Sequence, residues 1–152
     1  MLKDYVKATG NLTVTLFDAL GNVKEERFIP NLVVSVGKEW IAARMKDSGT
    51  PTQMTHMEIG EGTSSPVSGN TALETPFGTP ARVALTVAGG SVAANVVTYS
   101  ATFGAGVGTG AVTEAGIFND DEDGTMLCRT TFPVVNKPAD DTLAINWAIT
   151  IN

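Results

Sequence analysis

Catalysis at neutral pH usually rests on a histidine, an activated thiol or a pair of carboxylates. This chain of 152 residues offers one histidine, His56, and one cysteine, Cys128. A nucleophile needs a base within hydrogen-bond reach, and both residues fall inside β-like runs. His56 alternates with Met57 and Ile59, which places it on the opposite face of its strand. Cys128 lies inside the run 125–132, where a lone thiol behaves as a small apolar residue. One His and one Cys do not make a zinc ligand set, and a single cysteine excludes an internal disulfide. Glu58, Glu61, Glu74 and Glu114 are the carboxylates that glycoside hydrolysis would require. No spacing pairs two of them, and solvated faces or strand edges account for their presence.

Two further segments imitate ligand-binding loops. The run Gly104, Gly106, Gly108, Gly110 with Ala111 meets a loose dinucleotide spacing. A phosphate loop must open a helix whose N-terminus receives the pyrophosphate, and β-like sequence follows here instead. Gly37-Lys38 precedes Glu39 rather than Ser or Thr, so it is not a P-loop. Asn119, Asp121, Asp123 and Gly124 occupy the opening positions of a calcium loop, but its twelfth position is Thr130 rather than a bidentate Glu. A solvated hairpin tip is the simpler reading. The chain is therefore expected to be non-enzymatic, with no cofactor and no metal.

The surrounding elements are mostly strands. Residues 11–18 alternate, with Leu12, Val14 and Leu16 on one face, and residues 23–28 return as a charged edge strand that Pro30 closes. Ser35 reads as an N-cap for a helix over about residues 36–47, with Val36, Trp40 and Ala43 on one face. Residues 54–60 form a short strand. Residues 81–88 and 92–103 flank Gly89-Gly90 as a hairpin, 111–119 and 125–132 flank the acidic turn, and 142–151 alternate most regularly of all. About eight strands joined by turns predict an all-β fold, an antiparallel β-sandwich or jelly roll with one short α-helix. Residues 1–152 form one domain, with 1–10 as a flexible N-terminal arm and 61–80 as a long loop.

That loop is rich in Gly, Ser, Thr and Pro, longer than a compact domain usually tolerates without a purpose, and expected to be ordered by a partner. Phe77 within it must fold back on its own domain or insert into a neighbour. Trp40, Trp147, Phe17, Phe28, Phe103, Phe118 and Phe132 sit at strand or helix periods and are read as core. The formal net charge is −6 with ten scattered Lys and Arg, which gives no basic run for nucleic acid. No apolar stretch approaches the ~20 residues of a membrane span, and no signal-like segment opens the chain. Neither nucleic acid nor membrane is expected as a partner.

Two groups of residues carry a family resemblance. The first comprises residues 31–45, 54–66 and 70–76. The second comprises residues 112–119, with Thr113-Glu114-Ala115-Gly116-Ile117-Phe118 at their centre, residues 124–133 and residues 140–150. Together they resemble small structural virion proteins of tailed bacteriophages, most nearly the capsid cement or decoration proteins of short-tailed phages. The Thr113–Phe118 motif also resembles one near the start of phage tail-fibre and collar proteins.

The cement resemblance implies a protein on the outer capsid surface, made in the host bacterial cytoplasm, that holds adjacent major capsid protein subunits together. It further implies a homo-oligomer, a dimer before a trimer. Arms and loops would reach across subunit seams, with Tyr5, Thr75, Pro76, Phe77, Gly106 and Gly108 as the partner-binding residues. The alternatives are a tail, baseplate or fibre-adaptor structural protein, and a carbohydrate-binding surface module. A lysin or depolymerase is disfavoured by the missing catalytic set.

Overall fold

The computed structural model describes residues 4–46, 49–78 and 81–152. Residues 1–3 of the expected arm, position 47 of the expected helix and positions 79 and 80 of the expected loop lie outside them. The strands are β1 (Ala8–Phe17), β2 (Val23–Val33), β3 (His56–Gly60), β4 (Arg82–Ala84), β5 (Ser91–Ala93), β6 (Val96–Phe103), β7 (Gly110–Phe118), β8 (Met126–Lys137) and β9 (Thr142–Ile151); α1 is Ser35–Met45. All pairings are antiparallel, in the order β4-β3-β7-β8-β2-β1-β9-β6-β5. The all-β architecture with one short helix is thus present, and its two layers are the two halves of one curled sheet.

The curl begins at β2. From Val23 to Asn31 this strand pairs with β1, whereas Leu32 and Val33 pair with Arg129 and Cys128 of β8. Contrary to the expectation of an edge strand closed by Pro30, β2 runs through that proline and lies between β8 and β1; the Pro30 carbonyl accepts a hydrogen bond from Thr130 Oγ1. A strand that switches layers forms a corner of the sandwich. Inner faces from both halves then meet in one core, in which Trp147, Phe103, Leu12, Leu16, Met57 and Ile59 are fully buried. Each large side chain removed from water contributes roughly 2–3 kcal/mol.

The sheet order corrects several local readings. Gly89-Gly90 does not join two long paired strands, because β4 pairs with β3 while β5 pairs with β6 across the turn at Ala94-Asn95. Ala94 adopts φ +50° in that turn. β9 inserts between β1 and β6, the kind of nonlocal pairing that alternation does not encode. Phe28 points outward and is 76% exposed, since its neighbour Ile29 takes the inward position. Ser35 is the first helical residue rather than the cap. Val34 occupies the cap position without a side-chain hydrogen bond, and the Ser35 amide donates to Ser68 O.

The helix lies against β8 through Gly37, where a Cβ would fall 2.0 Å from Leu127 O. Ala is the better helix former by about 1 kcal/mol, so propensity and packing make opposite demands. We expect Gly37→Ala to destabilise by roughly 2 kcal/mol through overpacking, lowering the melting temperature by about 4–8 °C; a rise would show that propensity dominates. A second expectation concerns alkaline pH. Burial pushes the Tyr99 phenol up to about 12, while the unfolded phenol ionises near 10. Stability present below pH 10 is therefore lost as pH rises toward 12, by on the order of 2–3 kcal/mol. Melting curves of Tyr99→Phe should lack that share of the loss.

Candidate interaction surface

In β7, Val112, Ala115 and Ile117 enter the core, and the register shifts between Val112 and Glu114. This bulge changes the phase of the strand, so Glu114, Gly116 and Phe118 face outward. That outer face is not solvated. Glu114 is 0% and Arg129 2% exposed, and Phe118 packs with Leu73, Val34 and Met126 in a second apolar cluster. The cover is the segment from Glu61 to Thr75, closed into a compact Ω-shaped loop by the hydrogen bond from Glu61 N to Thr75 O, 2.8 Å.

Glu114 is the residue that fastens this loop. Its Oε1 accepts from Gly62 N at 3.0 Å and Thr75 N at 2.7 Å. Its Oε2 accepts from Glu74 N at 3.0 Å and from Arg129 Nε at 3.0 Å. Arg129 Nη2 adds a charge contact at 2.9 Å whose angle falls short of a hydrogen bond. Arg129 Nη1 donates to Asn70 Oδ1 at 3.1 Å, and Glu74 stands 3.5 Å from Nη2. Hydrogen bonds from Ser64 to Glu74 hold that carboxyl below its usual range. Two of the four glutamates therefore do converge, on an arginine, and Glu114 is buried rather than at a solvated edge. The loop is ordered by its own chain, contrary to the expectation of a partner.

Phe77 folds back. It packs against the core, and its ring lies over the β6–β7 turn, where a Cβ on Gly110 would come 3.0 Å from Phe77 Cε1. Gly108, at φ +63°, leaves room for Ile59 Cδ1. The structure thus brings Phe77 and Gly108 together, while Thr75 and Pro76 stand exposed beside them and Gly106 lies at the tip of the turn. Pro76 bridges to Gly60. Tyr5 is elsewhere: it is 73% exposed and precedes β1 at the opposite end of the β1–β9 ladder, roughly 30 Å away for a ten-residue strand.

The other sequence candidates are also dispersed. His56 pairs in register with Phe118 and Cys128 with Ile117, adjacent positions that face opposite sides of the sheet. Burial raises the Cys128 thiol well above its usual range. In the acidic turn, Asn119 Oδ1 accepts from Thr125 N, and the carbonyls of Asp120 and Asp123 receive Arg82 Nη1 at 3.2 and 2.9 Å. Arg82 also pairs with Glu58 at 2.7 Å and lies 3.9 Å above the Phe118 ring. Asn119 Oδ1, the first ligand position of a calcium loop, is thus engaged within the turn itself. Among the described residues, no three His, Cys, Asp or Glu side chains converge as a ligand set.

One feature of the surface was not anticipated. Beneath α1, two connected hollows of about 830 and 420 Å³ share Ile41, Met45 and Ile151. The only sequence signal for them is the i, i+4 pair Ile41–Met45, which lies off the helix face read as buried.

The Glu114 cluster is open to direct test. Glu114→Gln keeps the shape but turns one acceptor into a donor that faces Glu74 N–H and Arg129, and it leaves the buried guanidinium without its counter-charge. We expect a loss of roughly 3 kcal/mol, together with at least tenfold faster hydrogen exchange at the Gly62, Glu74 and Thr75 amides. Unchanged exchange at those amides would show that the loop is held by other contacts.

Comparison with known proteins places this architecture. The family described as phage tail-collar fibre protein, N-terminal, matches residues 26–152. No curated protein and no solved structure matches the chain. The family lies in the tail, so it supports a tail structural role over capsid cementing. With β2 to β9 inside the match, apart from the first residues of β2, the chain belongs to the phage tail-collar fibre protein N-terminal family and is a structural protein of a tailed-phage virion.

Proposed function

We propose that this chain is a rigid adaptor of the phage tail collar that joins fibre to tail by docking and performs no turnover. The observation that carries this reading is the family match over residues 26–152. The internal chemistry is consistent with it. Three of its cations pair within its own structure: Arg129 with Glu114, Arg82 with Glu58 and the acidic turn, and Lys24 with Asp141 at 2.6 Å. Such pairs lock loops onto the sheet, which suits a part that must transmit force without deforming. In this reading the partners are tail and fibre subunits and further copies of the chain, in place of the major capsid protein.

The two locations separate physically. Virions sheared and fractionated into heads and tails should yield this polypeptide with the tails, by immunoblot against a tag on the chain. Its recovery with expanded heads, and its absence from tails, would return the protein to the capsid shell.

A further inference from the structure

The groove beneath α1 combines an apolar floor with a cationic rim on a chain whose formal net charge is −6. Its apolar lining includes Met45, Val6 and Val92, which are 83, 80 and 75% exposed and rank among the most solvent-accessible large apolar side chains described. Leaving such side chains in water around one hollow marks a contact surface.

The rim follows from where the cations go. Among the described residues, Lys24, Arg27, Arg82 and Arg129 are in salt bridges. Lys137 is buried and donates to Gly104 O. The remaining described cations are Lys7, Lys38, Arg44 and Lys46, none of them in a salt bridge; Arg44 donates to Pro51 O at 3.1 Å, and three of the four line the two hollows. Lys7 and Lys38 line the larger hollow and Arg44 the smaller, while Lys46 follows Met45 directly. No carboxylate lines either hollow among the described residues, and the neighbouring Glu39 lies on another flank of the helix, with Val36 and Ala43. Three of the described cations without a salt bridge thus border these two apolar hollows of an acidic chain.

We propose that this groove docks an acidic segment of another polypeptide, seated by two or more large apolar side chains. Carboxylates on such a segment would meet the lysine rim while its apolar groups cover Met45, Val6 and Val92. The chain's own acidic turn, Asn119 to Gly124, has no apolar side chain to fill the floor, so that turn is not the occupant. The inference stands wherever in the virion the chain resides.

Selection of random dodecapeptides from a displayed library against the folded chain tests this. The expected winners are acidic, carry at least two large apolar residues, and bind less tightly as salt rises. Met45→Asp, and Lys7→Glu combined with Lys38→Glu, should each weaken them by at least roughly tenfold. These side chains are solvent-exposed, so melting curves should match the parent. Basic or uncharged winners, no winners, or winners indifferent to both variants would overturn the proposal. A parent dimer in sedimentation that Met45→Asp dissociates would overturn it in favour of self-association. Hydrogen exchange on the unaltered chain gives a fold-independent readout: bound peptide should protect residues 6–9 and 41–46, and failure to do so rejects the site.

Discussion

A single carboxylate with no access to water organises the outer layer of this molecule. Glu114 accepts three backbone N–H groups from two separated parts of the 61–75 loop and pairs with Arg129 beneath them. Burying two charges costs several kcal/mol per ion before any attraction is counted. The cost is offset here because the carboxylate supplies acceptors that the loop amides would otherwise lack. Buried amides without partners are themselves expensive, and an apolar side chain in place of Glu114 would leave three. A loop with few apolar residues of its own thereby stays in place and shields Phe118, Leu73 and Met126. Opposite-charge hydrogen bonding replaces hydrophobic content as the organising force on this face.

That dependence explains what the sequence discloses and what it conceals. β9 was legible in full, because Leu143, Ile145, Trp147 and Ile149 alternate without interruption and all face one core. Glu114 was not. Counting by twos from Val112 places it on the inward face, and only the bulge between them turns it outward. The misread hairpin at Gly89-Gly90 has a different origin. Glycines with positive φ mark a turn, yet nothing local states that the strand before the turn will pair with β3 and the strand after it with β6. Turn chemistry is local and strand partnership is not. For the interaction residues, the exposure of Tyr5 and the shared neighbourhood of Phe77 and Gly108 come from the fold and not from their types. The same holds for the groove under α1, since its lining comes from β1, β2, α1, β5, β6, β8 and β9 at once.

The family match begins at residue 26, but the structure recognises no boundary there. β1 lies between β2 and β9, with eight and ten residue pairs in its two ladders. Leu12, Val14 and Leu16 are each 1% exposed in the common core. Deleting everything before residue 26 would cut the sheet in two and open the core along its length. The cooperative unit therefore includes residues that the family comparison leaves aside, and the residues just before β1 supply Val6 and Lys7 to the groove.

The curl of the sheet and the position of the helix are linked through Gly37. A nine-stranded sheet that closed completely would pair its terminal strands, but here β4 and β5 remain ends. The curl brings Thr86 N onto Ser100 O of β6, which draws the two layers together on the side away from the β2 corner. The helix follows directly from the corner strand β2 and is drawn onto Leu127 by the missing side chain at Gly37. It therefore rests against β8 and leaves the strip between Ile41 and Ile151 uncovered. A residue with any side chain at position 37 would lift the helix and widen that strip. The depth of the groove is thus set by the same close contact that seats the helix, so its shape is a property of the rigid fold.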